Sequence, residues 1–222
     1  QIDKYISETR IKRPKIIELG CGAGFIKFFL KKKIILTDVK KYSWVDFSTQ
    51  AEDLKEIKTN STDVLILSHT FHHIKNISLF FINAIRVLNK GGLIIIHDPE
   101  LSLTFKFVVY FMKHEGYDLT ADPYYDFKDY KKSNPWECNL AFAKLVFSDQ
   151  EKFEKKFPSL KIIENSLREF TIFALSGGVV AKTYFINLPK FILYLFYYID
   201  CFLISIFPSI FPWVRRIVIK KK

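Results

Sequence analysis

The residues with the most chemical content come early in the chain. Glu18-Leu19-Gly20-Cys21-Gly22-Ala23-Gly24 sets an acid and three glycines at alternate positions, and Asp38 follows further on. An apolar run over 15–19 precedes the glycines, so a buried strand must turn sharply there. Glycine permits such a turn and lets the backbone approach a ligand closely. The helix start beyond it presents free N–H groups. A dinucleotide fingerprint needs G-x-G-x-x-G, and its third glycine would fall on the bulky Phe25. The spacing here is G-x-G-x-G, with an acid two residues ahead.

Histidine supplies the second set of candidates. His69 follows an apolar run over 63–67, and His97-Asp98 follows another over 93–96. Ligands of doubly wound sheets sit at the carboxyl ends of the strands. His69 and His97 are therefore the candidate catalytic residues, since an imidazole with a pKa of about 6.5 can take a proton from a hydroxyl acceptor. The competing account needs no base, because positioning alone accelerates a direct displacement. His69, His72 and His73 form no H-E-x-x-H pattern and no ligand cluster joins them, so no metal is expected. His72 and His73 read as helix-start or packing residues. His114, Glu115 and Asp118 fall in a polar stretch over 113–135, read as a loop or lid within reach of an acceptor.

The elements that must position these groups alternate. Strands are predicted over 15–19, 34–37, 44–48, 63–67 and 93–96. Helices are predicted over 25–30, 77–88, 101–111 and 150–157. Gly91-Gly92 reads as a stop for the helix over 77–88. Residues 160–175 have strand character and are expected to hold the last strands. Alternation of this kind implies right-handed crossovers and an α/β fold, a doubly wound, mostly parallel Rossmann-like sheet. Only about a dozen residues separate Asp38 from Gln50, so that crossover is expected to be short.

The glycine spacing and the acid after the second strand resemble motif I of the class I S-adenosylmethionine-dependent methyltransferases. Gln50-Ala51-Glu52-Asp53-Leu54 resembles the family's adenine-contact segment, with Gln50 where Asp is common. Residues 61–74 resemble its fourth strand and following loop, and 84–96 the helix, turn and strand that close the core. The likeness covers roughly 15–100. It implies S-adenosyl-L-methionine as the cofactor. It implies that Glu18, Gly20, Cys21, Gly22 and Gly24 form the loop around the methionine part, with Asp38 on the ribose hydroxyls. Gln50 and Ala51 would meet the adenine, and Ser68 would border the pocket. It does not specify the acceptor.

Composition bounds the rest. The 222 residues suit one α/β domain, and 49% are hydrophobic, which excludes a disordered chain. The net charge of +11 comes from short, dispersed Lys and Arg clusters that read mostly as solvated faces. Cys21, Cys138 and Cys201 are odd in number and far apart, which argues for a reducing compartment. No signal peptide is expected from the first residues of this sequence. It begins at Gln1 shortly before the first strand, and the N-terminus is expected to be incomplete.

Beyond 185 the composition changes. Residues 191–207 are apolar except for Asp200 and Ser205. Pro208, Pro212, Trp213, Arg215 and Arg216 follow, with lysines at the end. A stretch of this length lies at the lower limit for spanning a bilayer, and an aromatic, basic flank suits a membrane interface. Asp200 argues for lying in the interface rather than crossing. We therefore expect two parts: a methyltransferase domain over 1–185, and an apolar, helical, basic-ended C-terminal extension over 186–222. The extension would contact a membrane surface, or else pack on the core or on a second copy, or line a lipid-accepting pocket without a membrane. The expected function is methyl transfer from S-adenosylmethionine to an O or N atom of a small or lipid-linked acceptor, in the cytoplasm at the inner membrane face. The alternatives are a nucleic-acid methyltransferase, prompted by charge, and a non-catalytic cofactor-binding or scaffold protein on the same fold.

Overall fold

The computed structural model describes residues 2–112, 115–124, 138–175 and 186–222. In chain order, α1 (Ile2–Glu8) leads into β1 (Ile16–Leu19), and a 3-10 turn (Phe25–Phe28) leads to β2 (Ile34–Asp38) and β3 (Phe47–Ser48). Then come β4 (Thr62–Ser68), a second 3-10 turn (Phe71–His73), α2 (Ile77–Val87), β5 (Leu88–Pro99) and α3 (Leu103–Met112). The chain ends with α4 (Phe142–Phe147), α5 (Gln150–Lys156), β6 (Leu160–Arg168), α6 (Thr171–Leu175), α7 (Lys190–Ile206) and β7 (Val214–Lys221).

The strands form a seven-stranded sheet in the order β3-β2-β1-β4-β5-β7-β6. Pairing is parallel from β3 through β5, and β7 runs antiparallel between β5 and β6. β1 and β4 are buried almost throughout, as parallel strands covered on both faces must be. Period-two alternation sorts their side chains. Ile17, Leu19, Leu65, Leu67, Ile94, Ile96, Ile217 and Ile219 face a large core under α2, α4 and α5, filled by Phe71, Phe80, Phe81, Phe147 and Phe153. Ile16, Val64, Ile66, Leu93, Ile95 and Val218 face a smaller cluster closed by Ile6 of α1.

Three sequence expectations change, and one holds. The helix expected over 25–30 is a single 3-10 turn, and Phe25 and Phe28 are exposed, so no buried face sustains more. No helix joins β2 to β3, in line with the short crossover. Gly91-Gly92 lies inside β5 rather than ending α2. Gly91 takes a positive φ of 78°, and a Cβ on Gly92 would lie 2.9 Å from the Asn89 carbonyl oxygen. The region 160–175 holds only β6 and α6, while the last strand of the sheet is β7.

Residues 186–222 are thus not a uniform extension. They divide into α7 and a core strand, whose Val214, Ile217, Val218 and Ile219 are fully buried. The basic end is only partly exposed: Arg215 is buried, while Lys220 and Lys222 face solvent. Arg215 Nε donates to the buried Glu100 at 2.6 Å, and Lys144 Nζ reaches the other Glu100 oxygen at 2.9 Å. Lys221 Nζ donates to the carbonyls of Ile85 and Leu88. Trp213 is buried against Phe105 and Phe170 instead of lying at an interface. Asp200 is also internal: its carboxylate accepts from the N–H groups of Phe170, Thr171 and Ile172 and from the Thr171 hydroxyl, capping α6. Among the described residues, no helix is long and apolar enough to cross a membrane. The expected lid falls largely outside the described residues, His114 included.

Candidate functional site

The glycine loop lies at the carboxyl end of β1, beside the ends of β2 and β4. Gly20, Gly22 and Gly24 all take positive φ, which is why the loop needs residues without a Cβ. Gly20 has a second reason, since a Cβ there would come within 2.4 Å of Thr70 Cγ2. The Thr70 hydroxyl donates to the Gly20 carbonyl at 3.1 Å, tying the loop after β4 to the glycine turn. Gly22 differs, because a Cβ on it would meet nothing within 4 Å. Its open side faces free space at the strand ends, as a ligand cradle requires. Gly24 packs against Leu36 and Trp44, and Trp44 Nε1 donates to the Gly22 carbonyl at 2.8 Å.

Asp38 ends β2, and its Oδ2 accepts from the Gly22 N–H at 3.0 Å. The loop and the acid that sequence spacing singled out therefore meet directly. Register pairs Asp38 with Ser48, so Gln50 and Ala51 follow the neighbouring strand end. Gln50 is exposed, and Ala51 packs against the large core. Cys21 donates its backbone N–H to the Thr37 carbonyl at 2.9 Å. Its thiol is pushed up to about 11 by burial and then by the charges of Glu18 and Asp38, so it stays protonated.

Glu18 is buried at the end of β1, and its Oε2 has no hydrogen-bond partner. Burial, then the Asp38 charge, pushes its carboxyl up to about 8. A buried acid without a donor calls for a polar or cationic ligand group. The amino end of S-adenosylmethionine is such a group. The orphaned Glu18, the open side of Gly22 and the acid at the end of β2 together fit this cofactor. Glu18, Gly20 and Gly22 would hold its amino-acid end, and Asp38 its ribose.

The candidate bases come together at the ends of β4 and β5. Register pairs Ser68 with His97, and the His69 N–H donates to the His97 carbonyl at 2.7 Å. The two rings lie 5.5 Å apart, with Phe173 of α6 5.2 Å from His69 on another side. Burial, then repulsion from His97, pushes His69 down to about 4, so its ring is neutral at physiological pH. His69 takes a positive φ of 51°, uncommon for residues with a Cβ although histidine adopts it more often than most.

Sequence reasoning missed Glu169. Its Oε1 lies 3.3 Å from His97 Nε2. Burial would raise its carboxyl, but His97, His69 and Arg216 outweigh burial and hold it below the ordinary carboxylate range. Glu169 also takes a positive φ, 53°, and its carbonyl accepts from the Trp213 N–H at 2.8 Å. No sequence signal marks it, because β7 brings it to the site. Asp98 is fully buried and accepts from the Phe71 N–H at 3.1 Å and from His72 Nδ1 at 3.0 Å. His72 is thereby a structural partner of Asp98. Although burial works against it, Asp98 and Glu115 raise its pKa above the ordinary value.

Residues 17–96 match a family model described as a methyltransferase domain. No curated protein matches the chain. Among solved structures, a SAM dependent methyltransferase from Archaeoglobus fulgidus is 14% identical, with a TM-score of 0.56 over 100% of this chain and 91% of that one. The YcgJ protein of Bacillus subtilis is also 14% identical, with a TM-score of 0.52 over 99% of this chain and 96% of that one. At these identities the likeness speaks to the fold. The matched segment, 17–96, holds the glycine loop and Asp38, so this part of the chain is similar to a methyltransferase domain, on a fold shared with S-adenosylmethionine-dependent methyltransferases.

Proposed function

We propose that the chain methylates an O or N atom of a small or lipid-linked acceptor at a membrane surface. One observation carries the choice of acceptor: α6 links the candidate methyl-transfer site to an exposed apolar face. Phe173 of α6 lies against His69, and Asp200 of α7 caps the same helix. On the outer side of α7, Phe191, Tyr194, Leu195, Tyr198 and Phe202 are exposed at helical spacing. An exposed apolar stripe this long suits lipid, and the helix that bears it packs on α6.

The bound cofactor supplies an electrophilic methyl group. His97 accepts the proton that a hydroxyl or amine acceptor gives up as the methyl is transferred. Glu169 Oε1 stands 3.3 Å from His97 Nε2, which leaves Nδ1 as the nitrogen that takes the acceptor's proton. His69 stays neutral and shapes the site with Phe173. Ser68, the last residue of β4, would border the bound cofactor.

The test is to incubate full-length protein and methyl-labelled S-adenosylmethionine with a lipid extract, an aqueous metabolite extract or total nucleic acid. Label in the organic phase is the expected result. Label only in the water-soluble fraction would remove the lipid-linked acceptor. Label in nucleic acid would overturn the reading.

A further inference from the structure

Three groups outside the cofactor cradle converge at one place. His72 and His73, in the 3-10 turn after β4, face Glu115 in the segment that follows α3. One ligand atom of each lies within 4.8 Å of the others. His72 Nε2 stands 3.7 Å from one Glu115 oxygen, and His73 Nε2 stands 3.7 Å from the other. These separations are too long for direct hydrogen bonds. They approach the spacing of atoms sharing one ion, since tetrahedral ligands at about 2.0–2.1 Å from zinc lie about 3.3 Å apart.

The surroundings fit the same reading. A ligating imidazole usually gives its other nitrogen to a carboxylate, which fixes tautomer and ring orientation. Asp98 does this for His72, accepting from Nδ1 at 3.0 Å and leaving Nε2 directed at Glu115. Asp98 is itself held by the Phe71 N–H. The Glu115 side is anchored separately. Gly116 accepts from the Leu140 N–H, Asp118 and Asn139 exchange two hydrogen bonds, and the Asn139 N–H donates to the His72 carbonyl. The backbone of both walls is thus tied together before any ion binds.

We propose that His72, His73 and Glu115 bind a divalent first-row transition-metal cation, of which zinc is the best match to two imidazoles and a carboxylate. The ion fastens the segment after α3 to the wall carrying His69 and His97. It is a clip beside the methyl-transfer site, independent of the acceptor's identity. Sequence spacing gave no ligand to join these histidines. Glu115 joins them only through the fold.

The experiment titrates Co²⁺, then Zn²⁺, into chelator-stripped full-length protein. The expected result is one equivalent bound, with a cobalt ligand-field spectrum that zinc abolishes. His73→Gln and Glu115→Gln should each weaken binding at least tenfold while binding of the demethylated cofactor persists. Hydrogen exchange on the unaltered protein needs no variant, and zinc should slow exchange over 71–73 and 115–118. Absence of stoichiometric binding, an unchanged cobalt spectrum in both variants, or exchange indifferent to zinc would each overturn the site.

Discussion

At the scale of single residues, the cofactor cradle sets two carboxylates close together in different states. Asp38 is engaged by the Gly22 N–H, while Glu18 is buried and without a donor on Oε2. Replacing Asp38 by Ala should weaken cofactor affinity by roughly tenfold to a hundredfold, from lost charge-assisted bonds; calorimetric titration measures it. Glu18 predicts a pH dependence of the cofactor-free protein. Its folded pKa, about 8, is raised above the ordinary 4.5. Its contribution to stability is therefore fully present below pH 4.5 and is lost as pH rises to about 8. Glu18→Gln should stabilise the cofactor-free protein at pH 8, flatten that slope, and weaken cofactor binding. Denaturant midpoints at pH 5 and pH 8 check the sign, and an identical slope in the variant would remove Glu18 as its source. At the transfer site, His97→Gln should lower turnover about a hundredfold and spare cofactor affinity. Glu169→Gln should lower turnover less, whereas His69→Gln should keep most of it, since a group titrating at about 4 is a weak base. Comparable losses at His69 and His97 would contradict this division of roles.

At the scale of elements, α7 carries two opposite tasks on its two sides. Its inner side puts Asp200 on four donors at the start of α6. Asp200→Ala strands those donors and should cost about 2–4 kcal/mol, a fall in Tm of roughly 5 °C or more. Asp200→Asn should recover part of it, because an amide oxygen still accepts. The outer side bears Tyr198 and Phe202, 67% and 64% exposed, so replacing both with Glu should leave the fold intact. The full chain is expected to sediment with anionic vesicles and the doubly substituted chain to stay in solution. A full chain that ignores vesicles would leave the stripe to another partner. The same helix therefore answers the two questions its sequence raised, with Asp200 inward and the aromatics outward.

At the scale of the molecule, the sheet is closed by the end of the chain. β7 pairs with β5 over seven residue pairs from Leu93 to Pro99, and with β6 on its other edge. Deleting residues 214–222 would expose both edges and remove four fully buried aliphatic side chains, so the truncated chain should fail to fold. Circular dichroism and gel filtration of that truncation check it. Removal of 186–222 therefore cannot isolate the role of α7, whereas point changes on its outer face can.

What the sequence determined by itself was local. The glycine spacing demanded a strand-to-helix turn with positive φ, and Gly20, Gly22 and Gly24 adopt it. The apolar runs fixed the parallel strands, and position at a strand end put Asp38, His69 and His97 at the carboxyl ends of β2, β4 and β5. These features are legible because a turn, a strand and a strand end each depend on neighbours in sequence. What only the tertiary structure decided depends on residues far apart in the chain. Val214–Lys221 reads as a basic tail because its lysines and arginines hide a strand whose partners, β5 and β6, lie elsewhere. Glu169 reaches His97, Glu115 reaches His72 and His73, and Glu100 neutralises Arg215 by the same long-range assembly. A buried charge acquires its partner from the sheet order and the antiparallel turn of β7, and no periodicity in the sequence encodes either.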